Sequence, residues 1–260
     1  MSHLTGKVAR VTGAGSGIGK AAAVLFAQHG ANVVALAHTP DEVTKTVEEI
    51  KSNGGDAITA VADTRNEDEV KKAVQQAIDR WGHLDIVFAN AGINGVWAPI
   101  EEFTLEEWSR TIDTNLTGIF LTIKTTVPHL KKQGGSIVII ASVNGTRVFS
   151  NSGATAYSAT KAAQVAMTKM LAVELAQSNI RVNVVCPGAT DTEIKENTQA
   201  RDVDQIKFPT EFPKGSIPLG GKPATSEDVA QLALFLASDE ARHVTGTEIW
   251  IDGASSLVKG

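Results

Sequence analysis

The feature that most constrains how this 260-residue chain can fold is a repeated alternation of short, apolar, β-branched runs with segments of helical periodicity. "KVARVTG" (7–13) is the first such run, and Ile18, Ala22, Leu25, Phe26 and His29 follow at helical spacing until Gly30 stops them. Strands are expected again at 32–37, 57–63, 84–92, 136–142, 181–188 and 247–253. Val43, Val47 and Ile50 mark one intervening helix, and Val70, Ala73, Val74, Ala77, Ile78 and Trp81 another. A long helical region is expected over 104–131, opened by the capping-box pattern "TLEE", with further helices at 155–177 and 226–237. The strands are apolar throughout rather than at alternate positions, so both their faces must be covered. That pattern implies an α/β fold, a doubly wound seven-stranded parallel sheet flanked by helices. No Pro/Ser-rich linker or charge block interrupts it, so residues 1–260 read as a single domain.

Charge and composition narrow the partners. Twenty-four basic and 29 acidic residues give a net charge of −5, without the long basic run that nucleic acid would require. The apolar runs are too short for a membrane span and no signal peptide precedes the first strand, so a cytoplasmic location is expected. The one cysteine, Cys186, lies in "VNVVCPG" and reads as a small buried hydrophobe. The six histidines show no metal-ligand spacing. Asp191, Glu193 and Glu196 read as a solvated helix start rather than a cation site.

Ligands of doubly wound sheets sit beyond the carboxyl ends of the strands, so the turn after the first strand is the place to look. It reads "TGAGSGIG" (12–19), with four glycines in seven residues. Glycine-rich turns are common in any tight connection, but this one lets backbone N–H groups and the next helix's N-terminus approach a pyrophosphate. The fold is therefore expected to be Rossmann-like in its ligand as well as in its sheet.

The chain's only tyrosine, Tyr157, stands four residues before Lys161, which puts both on one face of a helix. A phenol has a pKa near ~10, and a nearby ammonium favours its ionised form. Such a pair can take a proton from an alcohol or give one to a carbonyl oxygen. Ser142 ends a strand at the ligand edge, where its hydroxyl can hold the same oxygen. Asn115 is the odd polar residue in the apolar segment "TNLTGIF".

These motifs resemble the short-chain dehydrogenases/reductases over some 240 residues: "TGAGSGIG", "NAG" (90–92), Asn115, Ser142, Tyr157 with Lys161, "PGATDT" (187–192) and "VTGTEIWIDGA" occur in the family's order. The resemblance implies a catalytic set of Asn115, Ser142, Tyr157 and Lys161, with Asn115 holding a water in a proton relay and Lys161 also holding the nicotinamide ribose. It implies dinucleotide contacts from Gly13, Ser16, Gly17, Ile18 and Gly19, from His38 and Thr39, and from Asp63 and Thr64. Asn90, Ala91, Gly92, Tyr157, Lys161, Pro187, Gly188, Thr190 and Thr192 complete that set, and no metal is implied. The implied activity interconverts a secondary alcohol and a ketone or aldehyde with NAD(P).

Two alternatives stand beside it: a β-ketoacyl-thioester reductase of fatty-acid synthesis, and a non-catalytic dinucleotide-sensing protein on the same fold. The first would carry basic residues near the end of the tyrosine helix, where this chain has the neutral Gln177 and Ser178. Fourteen residues separate Ser142 from Tyr157, a longer spacing than the family usually has, which is expected to widen the substrate loop. Trp97 can line the pocket or cover the core, and residues 193–222 are expected to form a lid. No acid follows the second strand, where Ala37, His38 and Thr39 stand, so NADP(H) is favoured over NAD(H). Apolar residues on several faces of 155–177 point to a homotetramer.

Overall fold

The computed structural model describes residues 3–194, 198–208 and 217–259; Glu196 and the middle of the expected lid lie outside the described residues. In chain order the elements are β1 (Val8–Thr12), α1 (Gly17–Gln28), β2 (Asn32–Ala37), α2 (Pro40–Ser52), β3 (Ala57–Val61), α3 (Glu67–Trp81) and β4 (Ile86–Ala89). There follow β5 (Gly95–Trp97), α4 (Leu105–Ile112), α5 (Gly118–Leu130), β6 (Gly135–Ile140), α6 (Thr155–Leu175) and β7 (Ile180–Pro187). The last are β8 (Thr198–Ala200), α7 (Ser226–Ala237), β9 (Glu248–Ile251) and α8 (Ser255–Lys259).

The seven expected strands form one parallel sheet in the order β3-β2-β1-β4-β6-β7-β9. Strand order reverses direction at β1 and β4, and the crevice at that switch point opens on the ends of both strands. Side chains of β1, β2, β4, β6 and β7 enter both apolar layers, one packed against α1, α2 and α7 and the other against α3, α5 and α6. All five residues of β1 are buried, which is why its sequence shows no polar alternation. They include Arg10, whose Nη1 reaches Thr122 O and Thr125 Oγ1 at 3.4 Å while burial lowers its pKa to about 9.

Three departures from the sequence reading bear on the site. The region expected as one helix over 104–131 is divided by a π turn, Asp113–Thr117, between α4 and α5. Its start is as expected: Thr104 Oγ1 accepts from Glu107 N at 3.1 Å, and Thr104 N donates to Glu107 Oε2 at 3.0 Å. A second, two-stranded parallel sheet pairs β5 with β8, and α8 follows β9. Among the described residues, no helix is long and apolar enough to cross a membrane.

Candidate active site

The glycine turn has little room for side chains. Gly13 and Gly17 have φ of +68° and +50°, and a Cβ on Gly19 would lie 1.9 Å from the carbonyl oxygen of Gly13. The "NAG" segment is fastened beside it. Thr12 Oγ1 accepts from Asn90 N (3.0 Å) and Ala91 N (3.2 Å), and Asn90 Nδ2 donates to Thr12 O at 3.0 Å. Asn90 thus ties β4 to the end of β1 with its own amide. Side chains cap α3, α4 and α7, but Ser16 makes no such bond at the start of α1. Among the described residues, the first N–H groups of α1, from Gly17, Ile18 and Gly19, therefore have no side-chain acceptor. The positive end of α1 and the close backbone approach at these glycines suit a pyrophosphate.

Ser142, Tyr157 and Lys161 meet past the ends of β6 and β7. Ser142 follows β6, and Tyr157 lies in the first turn of α6. A Cβ on Gly145 would lie 2.2 Å from Ser158 O, so the turn after β6 packs directly on the α6 backbone and brings the two hydroxyls together. The Ser142 hydroxyl lies beside the Tyr157 phenol and accepts from Asn144 N at 3.1 Å. Lys161 Nζ donates to Ile140 O at 2.8 Å and to Gln164 Oε1 at 3.4 Å, and stands 5.5 Å from the centre of the tyrosine ring.

The expected depression of the phenol by the ammonium is not found in this state. Burial raises the Tyr157 pKa against the opposing pull of the Ser142 hydroxyl, and burial lowers that of Lys161 to about 8. Asn115 is fully buried in the π turn; its Oδ1 accepts from Ile93 N and its Nδ2 donates to Ile93 O, both at 2.8 Å. It touches Lys161 only through Gln164, whose Nε2 donates to Asn115 O at 2.6 Å. The sequence reading did not single out Gln164. Cys186 is buried as expected, and burial pushes its thiol up to about 12.

The chain is similar to known proteins along almost its whole length. The family profile described as Enoyl-(Acyl carrier protein) reductase matches residues 13–255. A 3-ketoacyl-ACP reductase from Sinorhizobium meliloti 1021 is 51% identical, with a TM-score of 0.92 over 96% of this chain and 99% of that one. The 3-oxoacyl-[acyl-carrier-protein] reductase FabG of Thermotoga maritima is 41% identical over 254 residues, 96% of this chain and 98% of its own. A 3-ketoacyl-(acyl-carrier-protein) reductase from Brucella melitensis, crystallised with NADH, is 34% identical with a TM-score of 0.86, over 97% and 99% of the two chains. The chain belongs to the short-chain dehydrogenase/reductase family. It is an NAD(P)-dependent oxidoreductase.

In this short-chain dehydrogenase/reductase a carboxylate that the sequence reading passed over lies beside the glycine turn, just beyond β2. Ala37 is buried, His38 is exposed, and Thr39 Oγ1 lies 3.4 Å from His38 Nε2. Glu42, from the first turn of α2, lays its carboxylate over Gly15, 2.8 Å from where a Cβ would stand there. At the end of β3, Asp63 is held by the Arg65 fork at 2.6–3.0 Å, and that partner keeps its carboxyl low. Thr64 is buried with its hydroxyl against Gly118.

The segment after β7 crosses the top of the sheet. Val143 N donates to Pro187 O, Gly188 N donates to Ile251 O, and Thr190 Oγ1 donates to Gly188 O. Thr192 then reaches the glycine turn, within 3.3 Å of a Cβ placed on Gly17. The described part of the lid range is anchored to the body. Besides the β5–β8 pairing, Asn94 Nδ2 donates to Thr198 Oγ1 at 2.7 Å, and Arg201 donates to Glu107 at 2.8 and 3.1 Å. Trp97, in β5, is therefore pinned between lid and body. The long loop between Ser142 and Tyr157 is pinned too: Asn151 Nδ2 donates to Asn144 Oδ1 at 2.8 Å, and Arg147 stacks on Trp250 at 3.5 Å.

Proposed function

We propose that the chain interconverts a secondary alcohol and a ketone, with Tyr157 as the acid or base, Ser142 holding the substrate oxygen and Lys161 supporting the phenol's charge. The observation that carries this reading is that the Ser142 hydroxyl and the Tyr157 phenol lie side by side at the end of the sheet, near enough for the hydroxyl to favour the ionised phenol. A carbonyl oxygen accepting from both would be polarised where negative charge develops. When bound, the dinucleotide supplies or accepts the hydride. The residues of this chain bind and orient it, exclude water and move the proton at the Tyr157 oxygen. A panel of ketones with reduced dinucleotide, and of alcohols with oxidised dinucleotide, followed at the nicotinamide absorbance, tests the reading. No turnover across both panels would favour the dinucleotide-sensing alternative.

A β-ketoacyl thioester is the second substrate reading, favoured by the names of the Sinorhizobium and Thermotoga relatives. The end of α6 opposes it, since Gln177 and Ser178 offer no charge to an acidic carrier. We rank small ketones, sugars and polyols above it.

We also propose a preference for NADP(H). No acid follows β2, and His38 and Thr39 stand where a 2′-phosphate would lie. Glu42 works against this. Its carboxylate makes no hydrogen bond or ion pair among the described residues and lies on an exposed side chain, so it can turn away. Glu42→Gln should therefore raise kcat/KM with NADPH by about threefold and change the value with NADH by less than about twofold. Equal changes with both would remove Glu42 from the specificity.

We propose that residues 1–260 act as one cytoplasmic domain and assemble as a homotetramer. Met170 and Val173 on α6 are 74% and 79% exposed and Phe120 on α5 is 48% exposed, an apolar surface suited to a second copy. Sedimentation at micromolar concentration should give a tetramer; a monomer would exclude it.

A further inference from the structure

A glutamine in the middle of a buried helix face needs an explanation, because burying a primary amide without partners costs on the order of 2–7 kcal/mol. Gln164 is fully buried on α6, three residues beyond Lys161. Both ends of its amide are occupied. Nε2 donates to the main-chain carbonyl of Asn115 at 2.6 Å, and Oε1 accepts from Lys161 Nζ at 3.4 Å. The orientation is determined by chemistry: a carbonyl only accepts and an ammonium only donates, so the amide can face only one way. The π turn Asp113–Thr117 presents the Asn115 carbonyl to α6. The Asn115 side chain is spent on Ile93 and Thr160.

We infer that Gln164 is a positioning residue for Lys161: it bridges the ammonium to the π turn and holds it on the inner side of the site. The inference rests on the proposed role of Lys161 beside Tyr157. An ammonium has three protons. Ile140 O and Gln164 Oε1 take two of them inside the protein, leaving one for the ligand side. The titratable groups that face the ammonium are Tyr157 on its own helix and Cys186 on β7. Burial raises the pKa of both, so neither supplies a counter-charge at neutral pH. The Ile140 carbonyl and the Gln164 amide are then what sustain a cation in a site whose burial already lowers the Lys161 pKa to about 8. Removing the amide should make the cation easier to lose.

Protein labelled with 13Cε-lysine, without dinucleotide, gives the measurement, with the Lys161 signal identified by its loss in Lys161→Met. In Gln164→Met the Lys161 midpoint should fall by about half a unit or more, a roughly threefold change in its ionisation constant. A folded Gln164→Met protein with the wild-type midpoint would overturn the inference. If that variant does not fold, wild-type protein labelled with 15N-glutamine still decides. The Gln164 side-chain signal should titrate with the Lys161 midpoint, and a signal insensitive to pH there would equally overturn it. Neither readout uses turnover, so loss of the oxidoreductase reading remains separate. In the active enzyme, a rate limb that follows the shifted midpoint in Gln164→Met adds support that a merely structural role would not give.

Discussion

Tyr157→Phe is expected to lower kcat by about a thousandfold while changing dinucleotide affinity by less than about twofold. The change removes one oxygen from a ring that is 7% exposed and leaves its packing in place. That oxygen lies beside the Ser142 hydroxyl, and under the proposed function its proton is the one exchanged with the substrate. Buried as it is, the phenol is a poor base before ligands bind, because burial raises its pKa and the Lys161 ammonium is bonded to Ile140 O. In the direction of carbonyl reduction this is no handicap, since a neutral phenol is the acid required. In the direction of oxidation the phenolate must be favoured by positive charge that arrives with oxidised nicotinamide. Stopped-assay kcat, with dinucleotide affinity by fluorescence titration, checks the result. Residual turnover above about a tenth of wild type would mean that another group supplies the proton.

The sheet was legible because its strands are largely apolar runs ended by turns, buried almost throughout in β1, β2, β4, β6 and β7, a pattern that needs no knowledge of the partners. The small β5–β8 sheet was not, since three residues carry no periodicity and the pairing joins Gly95 to Thr198. The π turn was hidden for a different reason. It alters which N–H meets which carbonyl, while the apolar pattern of 104–131 runs through it unchanged. At the site, the residues with chemical side chains at motif spacing were readable: Ser142, Tyr157 and Lys161 converge. What those side chains turn towards was not readable. Lys161 was expected to face the phenol and instead bonds to Ile140 O, a main-chain atom with no identity in the sequence. Gln164 escaped notice on the same ground, because its partner is the backbone of Asn115 in another segment. Glu42 was missed because its reach over Gly15 depends on the phase of α2 against the glycine turn.

Gly19→Ala should be the costlier of two changes within one glycine motif. In an ordinary helix, replacing glycine with alanine stabilises by about 1 kcal/mol. Here the new Cβ would stand 1.9 Å from Gly13 O, 2.6 Å from Gly13 C and 2.7 Å from Asn90 Nδ2. Two of those atoms are backbone, and the third belongs to an amide fastened to Thr12 O. Relief requires α1 to move away from the turn or the "NAG" clip to open, and either shift withdraws the N–H groups meant for the pyrophosphate. A stability loss of about 3 kcal/mol is expected, which for a chain of this size lowers Tm by roughly 6–12 °C. Dinucleotide affinity should weaken by about tenfold or more. Gly15→Ala is the control, because its Cβ would meet Glu42 Oε2 at 2.8 Å, the far end of an exposed side chain that can swing away, and Glu42 Cβ at 3.0 Å, where a shift of a few tenths of an ångström suffices. Its cost should stay below about 1 kcal/mol. Thermal unfolding and dinucleotide titration of the two variants separate the readings. Equal losses would mean that glycine serves this turn by flexibility in general; a loss confined to Gly19→Ala ties it to the contact between α1 and the Gly13 carbonyl.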